Sequence, residues 1–369
     1  MRCIITFCLV LLAPFANSVI EPETIGRTEL REPTPSWFIV KNVGTAYIYD
    51  SADGEMQGLL SLTNWTPAVE PNLRRDEIYA AETYYSRGVR GERTDVVTVY
   101  DLNTLSPAAE IEVPNKIASL PFRHYIGLLD DARHLAIFNM TPAQSVTIVD
   151  IRDRRFVGEI STPGCALIMP SADRAFLMLC GDGTLQLIRL DRRGAEVARA
   201  RSEVFFSVDK DPVFDKPVEN DDGWSLVSFE GKVFDVTVEN DVINVTEPWS
   251  ILDAKDDKDD VAGWRIGGGQ VMTLHRGTGL LYTLMHKGKK DTHDDSGNEV
   301  WVYDKEAKRR IARLELKEPV RTLIVSQEDT PTLILGTQAG KIQLYEGRTL
   351  KLIRTVEQPG VYPGLLQRF

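Results

Sequence analysis

Histidine, cysteine, helical pattern and excess positive charge are all scarce in this chain of 369 residues. The five histidines, His124, His134, His275, His286 and His293, show no HExxH or similar spacing, which removes the common helical metalloprotease signature. Only His286 and His293 lie close together, flanking a loop at 287–297, and they form the one candidate metal pair. No G-x-S-x-G occurs, and Gly267-Gly268-Gly269 precedes no helical pattern. A nucleophile elbow and a phosphate-cradling loop are thereby excluded. Lysine and arginine number 43 against 54 aspartates and glutamates, a net charge of −11. An acidic surface excludes nucleic acid and anionic membrane as natural partners. No twelve-residue window carries a helical apolar stripe outside the first eighteen residues, and no later run is long and apolar enough to span a bilayer.

Those first eighteen residues differ from the rest. Arg2 is followed by an apolar run over 3–15, then by Ala16-Asn17-Ser18, which has the small-x-small form of a signal-peptidase site. The expected organisation is a secretory signal at 1–18, a polar mobile arm at 19–34 and one domain over 35–369. Of four cysteines, Cys3 and Cys8 leave with the signal, so Cys165 and Cys180 remain in an oxidising compartment. Apolar runs at 164–169 and 176–180 flank Pro170-Ser171-Ala172-Asp173-Arg174. A hairpin turning between Ala172 and Asp173 places Cys165 opposite Cys180, at disulfide distance.

What the sequence has in abundance is one repeated phrase: an apolar alternating run, an acidic turn and a second apolar run. It occurs seven times. The first runs are 46–49, 96–100, 146–149, 185–190, 233–238, 300–303 and 342–345, and their turn acids are Asp50, Asp101, Asp150, Asp191, Glu239 to Asp241, Asp304 and Glu346. The second runs are 58–62, 109–113, 156–160, 196–200, 242–245, 310–316 and 350–356. A lone hairpin cannot bury its apolar face. Seven of them, about 40 to 50 residues apart in most cases, predict an all-β, seven-bladed β-propeller. A pair of β-sandwiches fits the even spacing less well.

Little here looks catalytic. Asp253, Asp256, Asp257, Asp259 and Asp260 could hold calcium but lack the glycine and terminal glutamate of an EF-hand loop. Asn64, Asn139 and Asn244 begin N-x-T sequons. Two segments are too specific for scaffold. One is 84–95, which gathers Arg87, Arg90 and Arg93 with Glu92 and Asp95 just before a strand; guanidinium forks on carboxylates hold a loop or a partner surface. The other is 263–270, with Trp264 and Arg265, followed by Met285-His286 and by 299–304.

These motifs resemble the heavy subunit of quinoprotein amine dehydrogenases, the methylamine and aromatic amine dehydrogenases. The similarity lies in Tyr85-Ser86-Arg87, Arg90-Gly91-Glu92-Arg93-Thr94-Asp95, Gly263-Trp264-Arg265, Met285-His286, Thr292-His293 and Glu299-Val300-Trp301-Val302-Tyr303-Asp304. It runs from about Trp37 almost to the C-terminus and includes Cys165 and Cys180. Ile266 departs from the family's usual proline, and the turn at Glu346-Gly347-Arg348 is shortened.

The resemblance implies a periplasmic heavy chain of an α2β2 heterotetramer that oxidises primary amines to aldehyde and ammonia. The cofactor, tryptophan tryptophylquinone, belongs to a separate cysteine-rich light chain, and electrons leave to a cupredoxin or cytochrome c. No catalytic, cofactor-binding or metal residue is then expected on this chain. Trp65 aligns with an aromatic at the mouth of the substrate channel. Arg87, Arg90, Arg93, Trp264 and Arg265 are expected to order loops or meet the light chain. Two rival readings stay open: a stand-alone, calcium-dependent, lactonase-like propeller, and a non-catalytic propeller that binds a protein partner.

Overall fold

The computed structural model describes residues 30–115, 117, 118, 120, 122–252 and 261–369. The signal at 1–18, most of the arm and the acidic run from Asp253 to Asp260 lie outside the described residues. Within them the regular structure is strand, joined by turns and loops, with short 3-10 turns at Arg123–Tyr125 and Arg276–Thr278. No helix among the described residues is long and apolar enough to cross a membrane.

All seven hairpins form. Thr45–Asp50 pairs with Met56–Ser61, Arg93–Asp101 with Pro107–Val113, and Ser145–Asp150 with Arg155–Ser161. Leu185–Leu190 pairs with Glu196–Arg201, and Lys232–Glu239 with Val242–Val245. Gly297–Asp304 pairs with the first half of Arg309–Val325, and Ile342–Glu346 with Leu352–Val356.

The acids earn their place by capping. Asp50, Asp101, Asp150 and Asp304 each accept a backbone N–H two or three residues on, at 2.8 to 3.1 Å. Asp191 and Glu346 each accept two. Such side chains close the turn on themselves. Asp241 differs: Asn240 and Asp241 both have positive φ and make the tight turn themselves, and the Asp241 carboxylate takes the Arg189 guanidinium at 2.6 Å.

Two strands are added inside each hairpin, giving antiparallel meanders with the innermost strand nearest the axis. Five sheets have four or five strands, and one has eight. In the eight-stranded sheet, Arg309–Val325 pairs with Gly297–Asp304 through its first half and with Thr332–Thr337 through its second. The ring closes where the C-terminal strand Leu365–Arg368 pairs with Trp37–Asn42. Two side-chain amides, one buried and one half-buried, strengthen that closure. Gln367 donates to Val69 O at 2.9 Å and accepts from Val69 N, while Gln270 donates to Leu366 O at 2.8 Å and accepts from Leu366 N at 2.7 Å. Each amide mimics a backbone pair between neighbouring innermost strands. The architecture is an all-β propeller, its core divided into apolar layers between successive sheets.

Cys165 and Cys180 are bonded and directly opposed. The register carries a correction. Nearer the turn, Met169 pairs with Leu177 and Ser171 with Ala175, so the turn centres on Asp173 and not between Ala172 and Asp173. An irregularity between Ala166 and Met169, with Leu167 at φ 71°, restores the cysteines to opposition.

The sequon at Asn139 is also corrected. Asn139 is fully buried, and its amide donates to Ser145 and Thr147 hydroxyls at 3.1 and 2.8 Å, which leaves no room for a glycan.

Candidate functional site

In an antiparallel meander, successive connections alternate between the two ends of the sheet. The acid-capped turns therefore share one end of the ring, here the turn end. The opposite end carries the connections between second and third strands and those from one sheet to the next. This loop end holds residues 62–69, 86–92, 263–271 and 288–296, and with them Trp65, the arginine loop, Trp264 and Arg265.

The Trp65 loop rests on a buried carboxylate. Thr63 N donates to Glu82 Oε1 at 2.8 Å, the Thr63 and Thr66 hydroxyls meet at 2.9 Å, and Thr66 N donates to Thr63 O at 3.2 Å. Glu82 is wholly buried and also accepts the Tyr84 and Tyr100 hydroxyls at 3.2 and 3.0 Å. Burial and the Glu82 charge push the Tyr84 hydroxyl up to about 12. Lys41 is buried on the neighbouring sheet. Burial pulls its ammonium down to about 8, and the Glu82 charge partly opposes that fall. A carboxylate placed inside a strand of otherwise apolar inward residues, Glu77–Tyr85, is costly unless it organises its surroundings. Trp65 stands on this base at 38% exposure, edge-on to Tyr85 with ring centres 6.3 Å apart.

Tyr85 pairs across its hairpin with Arg93, so the arginine loop begins beneath Trp65. Ser86 and Glu92 close the loop through Ser86 N to Glu92 O at 2.9 Å and Glu92 N to Ser86 Oγ at 3.0 Å. Gly91, at φ 107°, permits this: a Cβ there would come within 2.4 Å of Ser86 Oγ. Arg93 lays a fork on Asp95, Nε to Oδ1 at 2.8 Å and Nη2 to Oδ2 at 2.7 Å, and reaches Ile117 O at 2.8 Å. Asp95 is fully buried and accepts Ile117 N as well, at 2.8 Å. Its hydrogen bond raises the Arg93 pKa above the ordinary value, against the opposing effect of burial. Arg93 thus orders the loop. Arg87 and Arg90 are exposed at its tip, and neither enters an ion pair among the described residues. Val89 between them is 71% exposed.

Trp264 and Arg265 lie elsewhere on the same end, on the strand Trp264–Ile266 that opens the eight-stranded sheet. Trp264 is 6% exposed, so the structure makes it core and not a surface for a partner. It packs on Trp301 with ring centres 5.3 Å apart, beneath the cations of Arg313 and Lys287 at 5.2 and 5.5 Å. Arg265 donates to Trp264 O at 3.1 Å and lines a small cavity of about 130 Å3 with Phe229 and His293. His293 stacks on Phe229, ring centres 4.0 Å apart. His286 bonds Thr292 Oγ1 at 2.9 Å, and burial lowers its pKa. The described residues hold no cluster of three or more histidine, cysteine, aspartate or glutamate side chains that could bind a metal.

Trp65, Arg87, Arg90 and Arg93 therefore form one site, and Trp264 and Arg265 a separate one. Sequence reading overlooked Glu82. The signal was available, since Glu82 occupies an inward position in a run of buried residues.

A family model for the methylamine dehydrogenase heavy chain (MADH) matches residues 33–368. The methylamine dehydrogenase heavy chain of Methylophilus methylotrophus is 27% identical over 328 residues, spanning 87% of this chain and 80% of that protein. The heavy chain of Paracoccus versutus is 28% identical over 323 residues, spanning 85% and 74%. Among solved structures, the β-propeller domain of Cps50 (Swd1) from Myceliophteria thermophila superposes with a TM-score of 0.57 at 11% identity, covering 84% of this chain and 92% of that one. That last likeness concerns fold alone.

Proposed function

Because the chain belongs to the methylamine dehydrogenase heavy-chain family, we propose that it works as the heavy subunit of a periplasmic α2β2 amine dehydrogenase and seats a light chain on its loop end. Residues 1–18 serve as the export signal, and 35–369 form a single propeller. We read the eight-stranded sheet as two blades sharing Arg309–Val325, which brings the blade count to seven. The change of partner along that strand supports the count.

In this reading the cofactor, a tryptophan tryptophylquinone, would supply the oxidising chemistry for the amine. We assign it to the light chain, and electrons pass on to a cupredoxin or cytochrome c. The tryptophans here fit that assignment. Trp264 and Trp301 adjoin, but they are 6% and 0% exposed and lie under Arg310 and Arg313. A quinone there would meet no substrate.

What this chain contributes is shape. Trp65 presents one face of a rigidly based aromatic at the rim, and we assign it to the wall of the substrate channel. Held by Glu82 and Tyr85, it loses little freedom when a partner closes over it. Arg87, Val89 and Arg90 offer an apolar contact between two cations, suited to an acidic partner surface. The observation that carries the reading is this pairing of an ordered base with an exposed tip whose arginines enter no ion pair among the described residues. Co-expression with a cysteine-rich light chain tests it. A stable heterotetramer with quinone absorbance is the expected result, and a lone, colourless heavy chain would refute it.

A further inference from the structure

The innermost strands enclose a cavity of about 530 Å3 on the propeller axis. That volume lies within the range of small-molecule sites. Its wall carries Glu70, Arg123, Glu219, Arg276 and Arg368. Arg123 Nη1 lies 2.8 Å from Glu70 Oε2, a carboxyl that burial pushes up against the Arg123 charge. Glu219 is shared: its Oε2 alone faces Arg276 Nη1 at 3.3 Å and Arg368 Nη2 at 3.4 Å. Both contacts are longer than the ~2.7–2.9 Å of a settled guanidinium–carboxylate bond. The adjoining Lys216 is paired with Asp215. His124 is half-buried in the same wall, with Nε2 3.1 Å from Pro217 O; loss of solvent and the neighbouring Arg123 charge hold it neutral, down to about 3.

Two of these three guanidiniums thus converge on a single carboxylate oxygen. Arg276 and Arg368 are 41% and 28% exposed, so both forks are open to the cavity, and an anion with two or more oxygens would satisfy both. Arg276 and Arg368 also come from different sheets: one follows Met272–His275 of the eight-stranded sheet, the other belongs to the last strand.

We propose that the axial cavity binds a small oxyanion, held between Arg276 and Arg368. Carboxylates and phosphate share the chemistry required. The site is independent of the light-chain reading, and either can fail without the other.

Calorimetric titration of the full chain at constant ionic strength tests the proposal, with sodium phosphate in one arm, sodium acetate in another and sodium chloride as the reference. Saturable one-to-one binding in either oxyanion arm is expected, and the arm that responds identifies the anion class. Arg276→Gln should weaken that binding by about tenfold or more, the loss expected for a charge-assisted bond. Arg192→Gln, an exposed change on the far side of its sheet, should leave it unchanged. Arg276 is 41% exposed, so its variant should fold, and the thermal midpoint without anion checks this. The proposal is overturned if neither oxyanion saturates, if chloride gives the same heat, or if folded Arg276→Gln binds as tightly as the parent.

Discussion

Two arginine forks of similar make sit at opposite ends of the ring. At the turn end, Arg133 places Nε and Nη2 on Asp150 Oδ2 at 3.1 and 2.7 Å. At the loop end, Arg93 takes both oxygens of Asp95 at 2.8 and 2.7 Å. In each pair the carboxylate is fully buried and the arginine about a third exposed. Their surroundings differ. Asp150 uses its other oxygen to cap a turn through Asp153 N, as the turn acids do around the ring. Asp95 also fixes Ile117 N and, through Arg93, the base of a loop with an exposed tip. Similar electrostatics thus serve the repeat at one end and interrupt it at the other. The lesson is that an ion pair's function is set by what it holds in place.

Three substitutions separate the roles of the two ends. The largest effect belongs to Arg93→Gln, which leaves a buried carboxylate without its fork. A loss of about 2–3 kcal/mol in chemical unfolding is expected, together with weaker retention of the light chain on co-purification. Unchanged retention would place Arg93 in the scaffold class.

Asp150→Asn should cost less, about 1–2 kcal/mol, because the released guanidinium can rehydrate. Retention of the light chain by the folded protein should not change. This pair also has a pH signature. Burial pushes the Asp150 carboxyl up, but the hydrogen bonds from Arg133 and from Asp153 N outweigh it and bring the pKa down to about 2. A depressed carboxylate stabilises the fold above its unfolded pKa and loses that contribution as pH falls through the folded value. The parent should lose this increment between about pH 4 and pH 2, and an acid titration of Asp150→Asn should lack it.

The smallest effect on stability belongs to Trp65→Ala. With 38% of Trp65 exposed and one edge contact to Tyr85, under about 1 kcal/mol is at stake. Its effect should appear in the KM for amine with little change in kcat, read on the assembled enzyme. A loss of stability without a kinetic change would remove Trp65 from the channel.

Much of the scaffold was legible because period-two alternation and turn acids are local signals. The seven hairpins and the Cys165–Cys180 pair needed only neighbouring residues. What stayed hidden depends on closure. Gln367 meets Val69 across 298 positions, and Arg368 meets Glu219 across 149; no local pattern links them. Trp264 was hidden for another reason. A tryptophan in a glycine-rich loop resembles an exposed anchor, yet Trp301 and two cations draw it into the core. The bulge at Leu167 was equally invisible, since it restores the register it disturbs.

The central claim is that the loop end, and not the turn end, receives the partner. Hydrogen–deuterium exchange of this chain with and without a co-expressed light chain tests it most directly. Added protection is expected at residues 62–69 and 84–93, with none at 101–106 and 150–154. Protection confined to those acid-capped turns, or none at either end in a stable complex, would contradict it.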